Sequence, residues 1–246
     1  MTEEEFKDCW TELKKMRFSG MAEELKKQWE DPKYRKMSGD ERIQLLISAE
    51  SDVRRSKKIS RIVNASGLRY PGAVIDREIM AQQGADCEKI LYLSECSWIK
   101  RAENLLITGK TGAGKTYCAC ALALAAASRY KTIRYEKAGD LLRRLERAEY
   151  EKRLTETLDQ YKKYDLLIID DFGLMPLTAN MCRNLFELID GRDGYKSTVL
   201  VSQFPVGAWY ELFENSTYAD ACLDRIVRGA NRLEFSGESL RGTAAG

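Results

Sequence analysis

Residues 109–116 read Gly-Lys-Thr-Gly-Ala-Gly-Lys-Thr, a complete G-x-x-x-x-G-K-T loop between an apolar run at 104–108 and an Ala-rich stretch at 118–127. This is the pattern of a phosphate-binding loop, in which successive backbone N–H groups converge on the phosphates of a nucleotide. Gly109, Gly112 and Gly114 permit positive φ and close approach of the backbone, with Lys110, Thr111 and Ala113 completing the cradle and Tyr117 following it. Lys115 is expected to reach the β- and γ-phosphates and Thr116 to ligate Mg²⁺ through its hydroxyl. The helix that opens there adds its positive dipole end.

A second element has the matching chemistry. Residues 166–171, Leu-Leu-Ile-Ile-Asp-Asp, are a buried-strand pattern that ends in two carboxylates. Asp170 at the strand tip suits a Mg²⁺ ligand acting through water, and Asp171 a group that orients or deprotonates an attacking water. A third run, 198–203, ends in Ser202 and Gln203, and an amide there can point at a γ-phosphate. It also suits an ordinary polar strand end. Arg225 closes a helical stretch at 218–228, where it is either a surface ion-pair residue or a finger on a neighbouring subunit's ATP.

These residues need a scaffold, and the chain alternates strand and helix to supply one. Candidate strands at 104–108, 132–136, 165–170, 198–202 and 232–235 are separated by helical segments, which implies a parallel sheet covered on both faces. Residues 1–65 instead show apolar spacing near 3.6, with Phe6, Trp10 and Leu13, then Ile43, Leu46 and Ile47. The Gly- and Pro-containing stretch at 66–72 punctuates the chain. We therefore expect a helical DNA- or partner-binding domain over 1–70 and an α/β ATPase domain over 71–246.

Composition narrows the chemistry further. Forty basic residues against thirty-eight acidic ones make the overall charge nearly neutral, so any nucleic-acid affinity must come from local clustering. There is no histidine, which removes imidazole bases and His-containing metal sites, and acid–base work falls to carboxylates. The seven cysteines contain no C-x-x-C pair and read as reduced, mostly buried thiols. No signal pattern or apolar run of membrane-spanning length is present, so a cytoplasmic protein without membrane contact is expected.

Basic residues cluster in two places. Between Val53 and Ile75 lie six basic residues, Arg54, Arg55, Lys57, Lys58, Arg61 and Arg69, and no acid, and Arg54, Lys57, Lys58 and Arg61 fall at helical spacings of three and four. They form either a solvated helix face or a surface that meets successive DNA phosphates. Arg143, Arg144 and Arg147 form the second cluster, interleaved with Asp140, Glu146 and Glu149. No base-reading motif is recognisable, so phosphate contacts with little sequence preference are expected.

Taken together, the ordered motifs resemble the AAA+ ATPases of the IstB and DnaC type, and more closely the IstB side, the helper ATPases of IS21-like insertion sequences. Beyond the ATPase elements the likeness is carried by Phe-Ser-Gly-Met-Ala at 18–22, Ser-Glu-Cys-Ser-Trp-Ile at 94–99 and Asp-Asp-Phe-Gly-Leu at 170–174 with Pro-Leu-Thr at 176–178. It continues with Ser-Gln-Phe-Pro at 202–205, Ala-Asp-Ala-Cys-Leu-Asp-Arg at 219–225 and Gly-Glu-Ser-Leu-Arg at 237–241. The resemblance implies a P-loop AAA+ domain with a parallel five-stranded sheet after a small all-α domain. It also implies Gln203 as sensor 1, Arg225 as an arginine finger and Arg241 as a sensor 2 arginine.

The function that the resemblance implies is an ATP-dependent oligomer on duplex DNA that assists the transposase of the same element. A DnaC-like replicative helicase loader is the alternative. Three features depart from the family pattern: an Asp at 171 where AAA+ proteins commonly carry Glu, Tyr117 in place of a usual histidine, and little chain after Arg241 for a helical lid.

Overall fold

The computed structural model describes residues 2–237. The chain divides into two compact units, Met1–Arg61 and Ile62–Gly246. This division falls inside a helix, upstream of the boundary after residue 70 expected from the Gly- and Pro-containing stretch. A continuous helix, rather than a turn, carries the chain from one unit into the other.

The first unit is helical: α1 (Glu3–Lys15), α2 (Ser19–Glu30), a 3-10 turn (Pro32–Lys36) and most of α3 (Gly39–Ser66). Thr2 and Glu5 cap α1 reciprocally, each side chain accepting from the other's backbone N–H. The Phe-Ser-Gly-Met-Ala motif has a packing role. A Cβ on Gly20 would lie 2.5 Å from the Ala49 carbonyl oxygen and 2.7 Å from the Glu50 Cα, so α2 and α3 touch backbone to backbone there. The N-cap residue of α2, Phe18, makes no side-chain cap. Buried Glu50 supplies it from α3, accepting from Gly20 N–H at 2.8 Å, Met21 N–H at 3.3 Å and Arg54 Nε at 2.7 Å.

The second unit is built on α4 (Arg77–Gln82), α5 (Cys87–Ser94), α6 (Ser97–Lys100), β1 (Leu105–Gly109), α7 (Lys115–Ala127), β2 (Ile133–Lys137), α8 (Ala138–Tyr150) and α9 (Leu154–Lys163). It continues through β3 (Leu166–Phe172), α10 (Ala179–Asp190), β4 (Ser197–Ser202), α11 (Ser216–Val227) and β5 (Asn231–Phe235). The five strands form one parallel sheet in the order β2-β3-β4-β1-β5.

Both faces of this sheet are covered. Leu106, Leu167, Ile169 and Leu200 join a core with α8, α10 and α11. Their alternates Leu105, Ile107, Ile168 and Val199 are equally buried on the other face, where α7 packs. Helix α7 is Ala-rich because it lies close on the strands: Ala119, Ala121, Ala123, Ala126 and Ala127 are all buried. Cys118 and Cys120 act there as small apolar side chains, and burial pushes the Cys118 thiol up to about 12. Among the described residues no helix is long and apolar enough to cross a membrane.

Other family motifs also serve the scaffold. In 94–99, Cys96 takes a left-handed conformation at φ 59° and buried Trp98 donates its indole N–H to the Leu93 carbonyl at 2.8 Å, which closes the turn between α5 and α6. In 176–178, Thr178 caps α10 by accepting from Met181 N–H.

Candidate functional site

The loop leaves β1 at the C-terminal end of the sheet, with β4 on one side of β1 and β3 beyond it. The loop, the tip of β4 and the carboxylates of β3 thus converge at one edge, where ligands bind in open parallel sheets. Gly109, Gly112 and Gly114 have φ of 140°, 83° and 86°, which is the glycine requirement of the loop. Gly109 also passes so close to β5 that a Cβ would lie 2.3 Å from the Phe235 carbonyl oxygen.

Lys115 Nζ donates to the carbonyls of Gly109 at 2.6 Å and Lys110 at 2.7 Å, spanning the loop it would serve. Thr116 Oγ1 donates to Asp170 Oδ2 at 2.9 Å. The two oxygens expected to share a metal ion are therefore neighbours. Among the described residues no cluster of three His, Cys, Asp or Glu side chains forms a metal site by itself. A Mg²⁺ held by one hydroxyl, one carboxylate and the nucleotide's own phosphates needs no such cluster, and the residues present fit it.

Strand β3 runs two residues past the expected end at Asp170, and it does so irregularly. Ile169 is level with Leu200 and Phe172 with Ser202, so Asp170 and Asp171 together stand opposite the single residue Val201. Asp171 absorbs the extra residue in a left-handed conformation, φ 58°. Consecutive residues of a regular strand point to opposite faces. Because of this bulge both carboxylates line one cavity of about 320 Å³, together with Lys115, Thr116 and Gln203. Ser202 fastens the bulge by donating its hydroxyl to the Phe172 carbonyl at 2.7 Å. Gln203 Oε1 accepts from Thr111 Oγ1 at 2.6 Å, which joins the β4 tip to the loop.

Three further side chains belong to this region and carry no signal in local spacing. Buried Tyr135 of β2 donates to Asp170 Oδ2 at 2.6 Å. Lys137, at the end of β2, has its ammonium 3.8 Å from an Asp171 carboxylate oxygen. Arg69, upstream of the sheet, lines the same cavity. The alternation Ile133, Tyr135, Lys137 marks one face of β2, but only the pairing of β2 with β3 reveals what that face meets. Beside the loop, Tyr70, Tyr117, Gly112 and Gly114 border a second cavity of about 190 Å³. The Tyr70 and Tyr117 ring centroids are 5.8 Å apart, and the Tyr117 hydroxyl accepts from Val74 N–H at 3.1 Å.

Arg225 lies away from this group. Its carbonyl and that of Ile226 accept from the Asn104 side-chain amide, just before β1 begins. The loop follows the end of β1, so about 17 Å of strand separates the two. The Arg225 guanidinium donates to Asp190 at 2.7 Å and stacks over Phe186. Arg241 lies outside the described residues.

The two basic clusters differ. On α3 the side chains of Arg54, Arg55, Lys57, Lys58 and Arg61 are exposed. Arg54 pairs with Glu50, and Lys57 donates to Ser19 Oγ. On α8 every arginine of the cluster has an acid: Arg143 on Asp140, Arg144 on Glu136 and Arg147 on Glu151.

The chain is matched over residues 11–245 by the model of the IstB-like ATP binding protein family, and it belongs to that family. It is 35% identical over 229 residues to an insertion sequence ATP-binding protein of Sinorhizobium fredii, covering 93% of this chain and 92% of that one. The IS1162 ATP-binding protein of Pseudomonas fluorescens is 36% identical, over 79% of this chain and 85% of its own. The IS232 ATP-binding protein of Bacillus thuringiensis is 30% identical, over 96% and 94%. Among solved structures, the DnaC helicase loader superposes with a TM-score of 0.57 at 20% identity, over 68% of this chain and 99% of the loader. DnaI does so with a TM-score of 0.54 at 22% identity, over 61% and 85%. These two likenesses establish the fold.

Proposed function

We propose that this member of the IstB-like family hydrolyses ATP, assembles on duplex DNA through ATP-bridged contacts between subunits, and assists the transposase of its insertion sequence. The observation that carries this is the separation within one chain. Lys115, Thr116, Asp170, Asp171 and Gln203 gather at the C-terminal ends of the strands, while Arg225 sits a strand's length away at the other end. An arginine so distant does not reach its own nucleotide, and in the proposed assembly it serves a neighbour's. The names of the relatives, ATP-binding proteins of insertion sequences, supply the context of transposition.

In the proposed reaction water attacks the γ-phosphorus, the bond to the β–γ bridging oxygen breaks, and ADP and phosphate leave. Lys115 leaves the Gly109 and Lys110 carbonyls for the β- and γ-phosphate oxygens. Asp171, turned inward by the bulge, orients the water and takes its proton. Gln203 supplies an amide to the γ-phosphate end, and Arg225 of an adjacent subunit offsets charge as the bond breaks. Thr116 and Asp170 would hold Mg²⁺, which when bound neutralises phosphate charge. Tyr70 and Tyr117 offer aromatic faces to the base.

DNA is assigned to α3 rather than α8, because the α8 arginines are each taken by an acid and Arg55 and Arg61 of α3 have no acid partner among the described residues. Sedimentation of the full chain with a non-hydrolysable ATP analogue, with duplex or single-stranded DNA, tests the proposal. A large assembly that needs both nucleotide and duplex is the expected result. A monomer under every condition overturns the trans finger, and assembly on single strands alone favours the helicase-loader alternative, to which the DnaC-like fold also points.

A further inference from the structure

We infer that Arg69 is a cis-acting specificity residue of the nucleotide site, whose guanidinium binds the terminal phosphate and so distinguishes nucleoside triphosphate from diphosphate. The inference rests on the ATP site described above and adds a residue from outside its motifs.

Position is the first argument. Arg69 borders the cavity that also contains Asp170, Asp171 and Gln203, whereas the next residue, Tyr70, borders the neighbouring cavity with Tyr117 and Gly114. The two cavities meet at Gly112, Lys115 and Thr116. Arg69 thus lies on the carboxylate side, and Tyr70 on the Tyr117 side, of the loop residues that the two cavities share. The segment is held against α7, the helix that starts at the loop: the Tyr70 and Tyr117 ring centroids are 5.8 Å apart, and the Tyr117 hydroxyl accepts from Val74 N–H at 3.1 Å.

Charge is the second argument. The cavity is lined by two carboxylates, Asp170 and Asp171, and three cations, Arg69, Lys115 and Lys137. Lys137 stands 3.8 Å from Asp171. The two lysines balance the two carboxylates, so Arg69 makes the site net positive for a polyanion. Despite sharing the cavity with these acids, Arg69 forms no ion pair within 4.0 Å among the described residues, and its guanidinium lies over the Tyr70 ring, 5.5 Å from the centroid. A planar guanidinium stacked on a ring retains its edge N–H donors for phosphate oxygens.

The test is equilibrium binding of a fluorescent non-hydrolysable ATP analogue and of the matching ADP analogue. It uses the full chain without DNA, dilute enough to remain monomeric, so that a neighbour's Arg225 does not contribute. The Arg69→Gln protein should bind the triphosphate on the order of tenfold more weakly, as expected when a charge-assisted hydrogen bond is removed, and the diphosphate within about threefold of wild type. Arg69→Lys should recover part of the affinity, and thermal melts should show both variants folded. An unchanged triphosphate-to-diphosphate ratio in Arg69→Gln, or an equal weakening for both nucleotides, overturns the proposal alone. Wild type that binds neither nucleotide, or Lys115→Ala that binds like wild type, overturns the nucleotide site and the proposal with it.

Discussion

Tyr135 donates its phenolic hydroxyl to Oδ2 of Asp170 at 2.6 Å, the same carboxylate oxygen that accepts from Thr116 at 2.9 Å. Oδ1 of that carboxylate accepts the backbone N–H of Asp171 at 2.8 Å. A buried acid is thus held by a tyrosine from the neighbouring strand, a threonine from the phosphate loop and the bulge beside it. Burial, and then the bond to Asp170, push the Tyr135 phenol well above its ordinary value, so it remains a donor throughout the working pH range.

Tyr135→Phe should therefore cost roughly 1–3 kcal/mol of stability, because a buried carboxylate loses a donor. Urea unfolding measures this. The same variant should need more Mg²⁺ for half-maximal ATPase activity, since Asp170 is then oriented only by Thr116 and the Asp171 N–H. Equal stability and an unchanged Mg²⁺ requirement would leave Tyr135 without a positioning role.

Gly20→Ala should destabilise the helical unit, by about 2 kcal/mol or more, through the clash of its Cβ with the Ala49 carbonyl and Glu50 Cα. Circular dichroism melts of the full chain should show a lowered helical transition, with nucleotide binding by the second unit retained. Gly39→Ala, where a Cβ meets nothing within 4 Å, is the control.

Glu50 gives that unit a pH dependence. Burial would raise its carboxyl, but the Arg54 hydrogen bond and the N–H groups of Gly20 and Met21 outweigh burial and hold it below the ordinary 4.5. A depressed carboxylate contributes stability that is fully present above its unfolded value and lost as the pH falls through the folded one. The wild-type helical unit should accordingly weaken as the pH drops below about 4.5. Glu50→Gln should be less stable at neutral pH and show a flatter acid limb. A parallel acid limb in the variant would assign the effect elsewhere.

Arg225→Ala should bind nucleotide like wild type and lose ATP turnover by on the order of a thousandfold or more, the scale of an arginine finger. Lys115→Ala should fail at the other half of the same composite site. Mixing the two inactive proteins should restore turnover, because some interfaces then pair an intact loop with an intact arginine. No recovery on mixing argues against a site shared between subunits.

Replacing Arg55 and Arg61 by Glu should weaken duplex binding across unrelated sequences and lower the slope of log affinity against log salt by about one for each DNA phosphate that is no longer neutralised. Changing Arg143 and Arg147 should matter less, since each has an intramolecular acid. An effect confined to the α8 pair would move the DNA-binding surface to that helix.

Local spacing determined a great deal here. The glycines and Lys-Thr of the loop, the apolar runs of the five strands and the Ala-rich helix are all properties of short segments, because backbone conformation and burial periodicity are set over a few residues. The parallel sheet and its site at the strand ends follow from that alternation. Tertiary structure decided which distant residues share the site. Spacing cannot tell that Asp170 and Asp171, adjacent on a strand and so destined for opposite faces, enter one cavity through a bulge opposite Val201. Nor can it pair Tyr135 with Asp170, seat Arg69 beside the phosphate loop, or set Arg225 at the far end of its own sheet. Those relationships depend on strand order and register, which are fixed by the packing of the whole sheet rather than by any one segment.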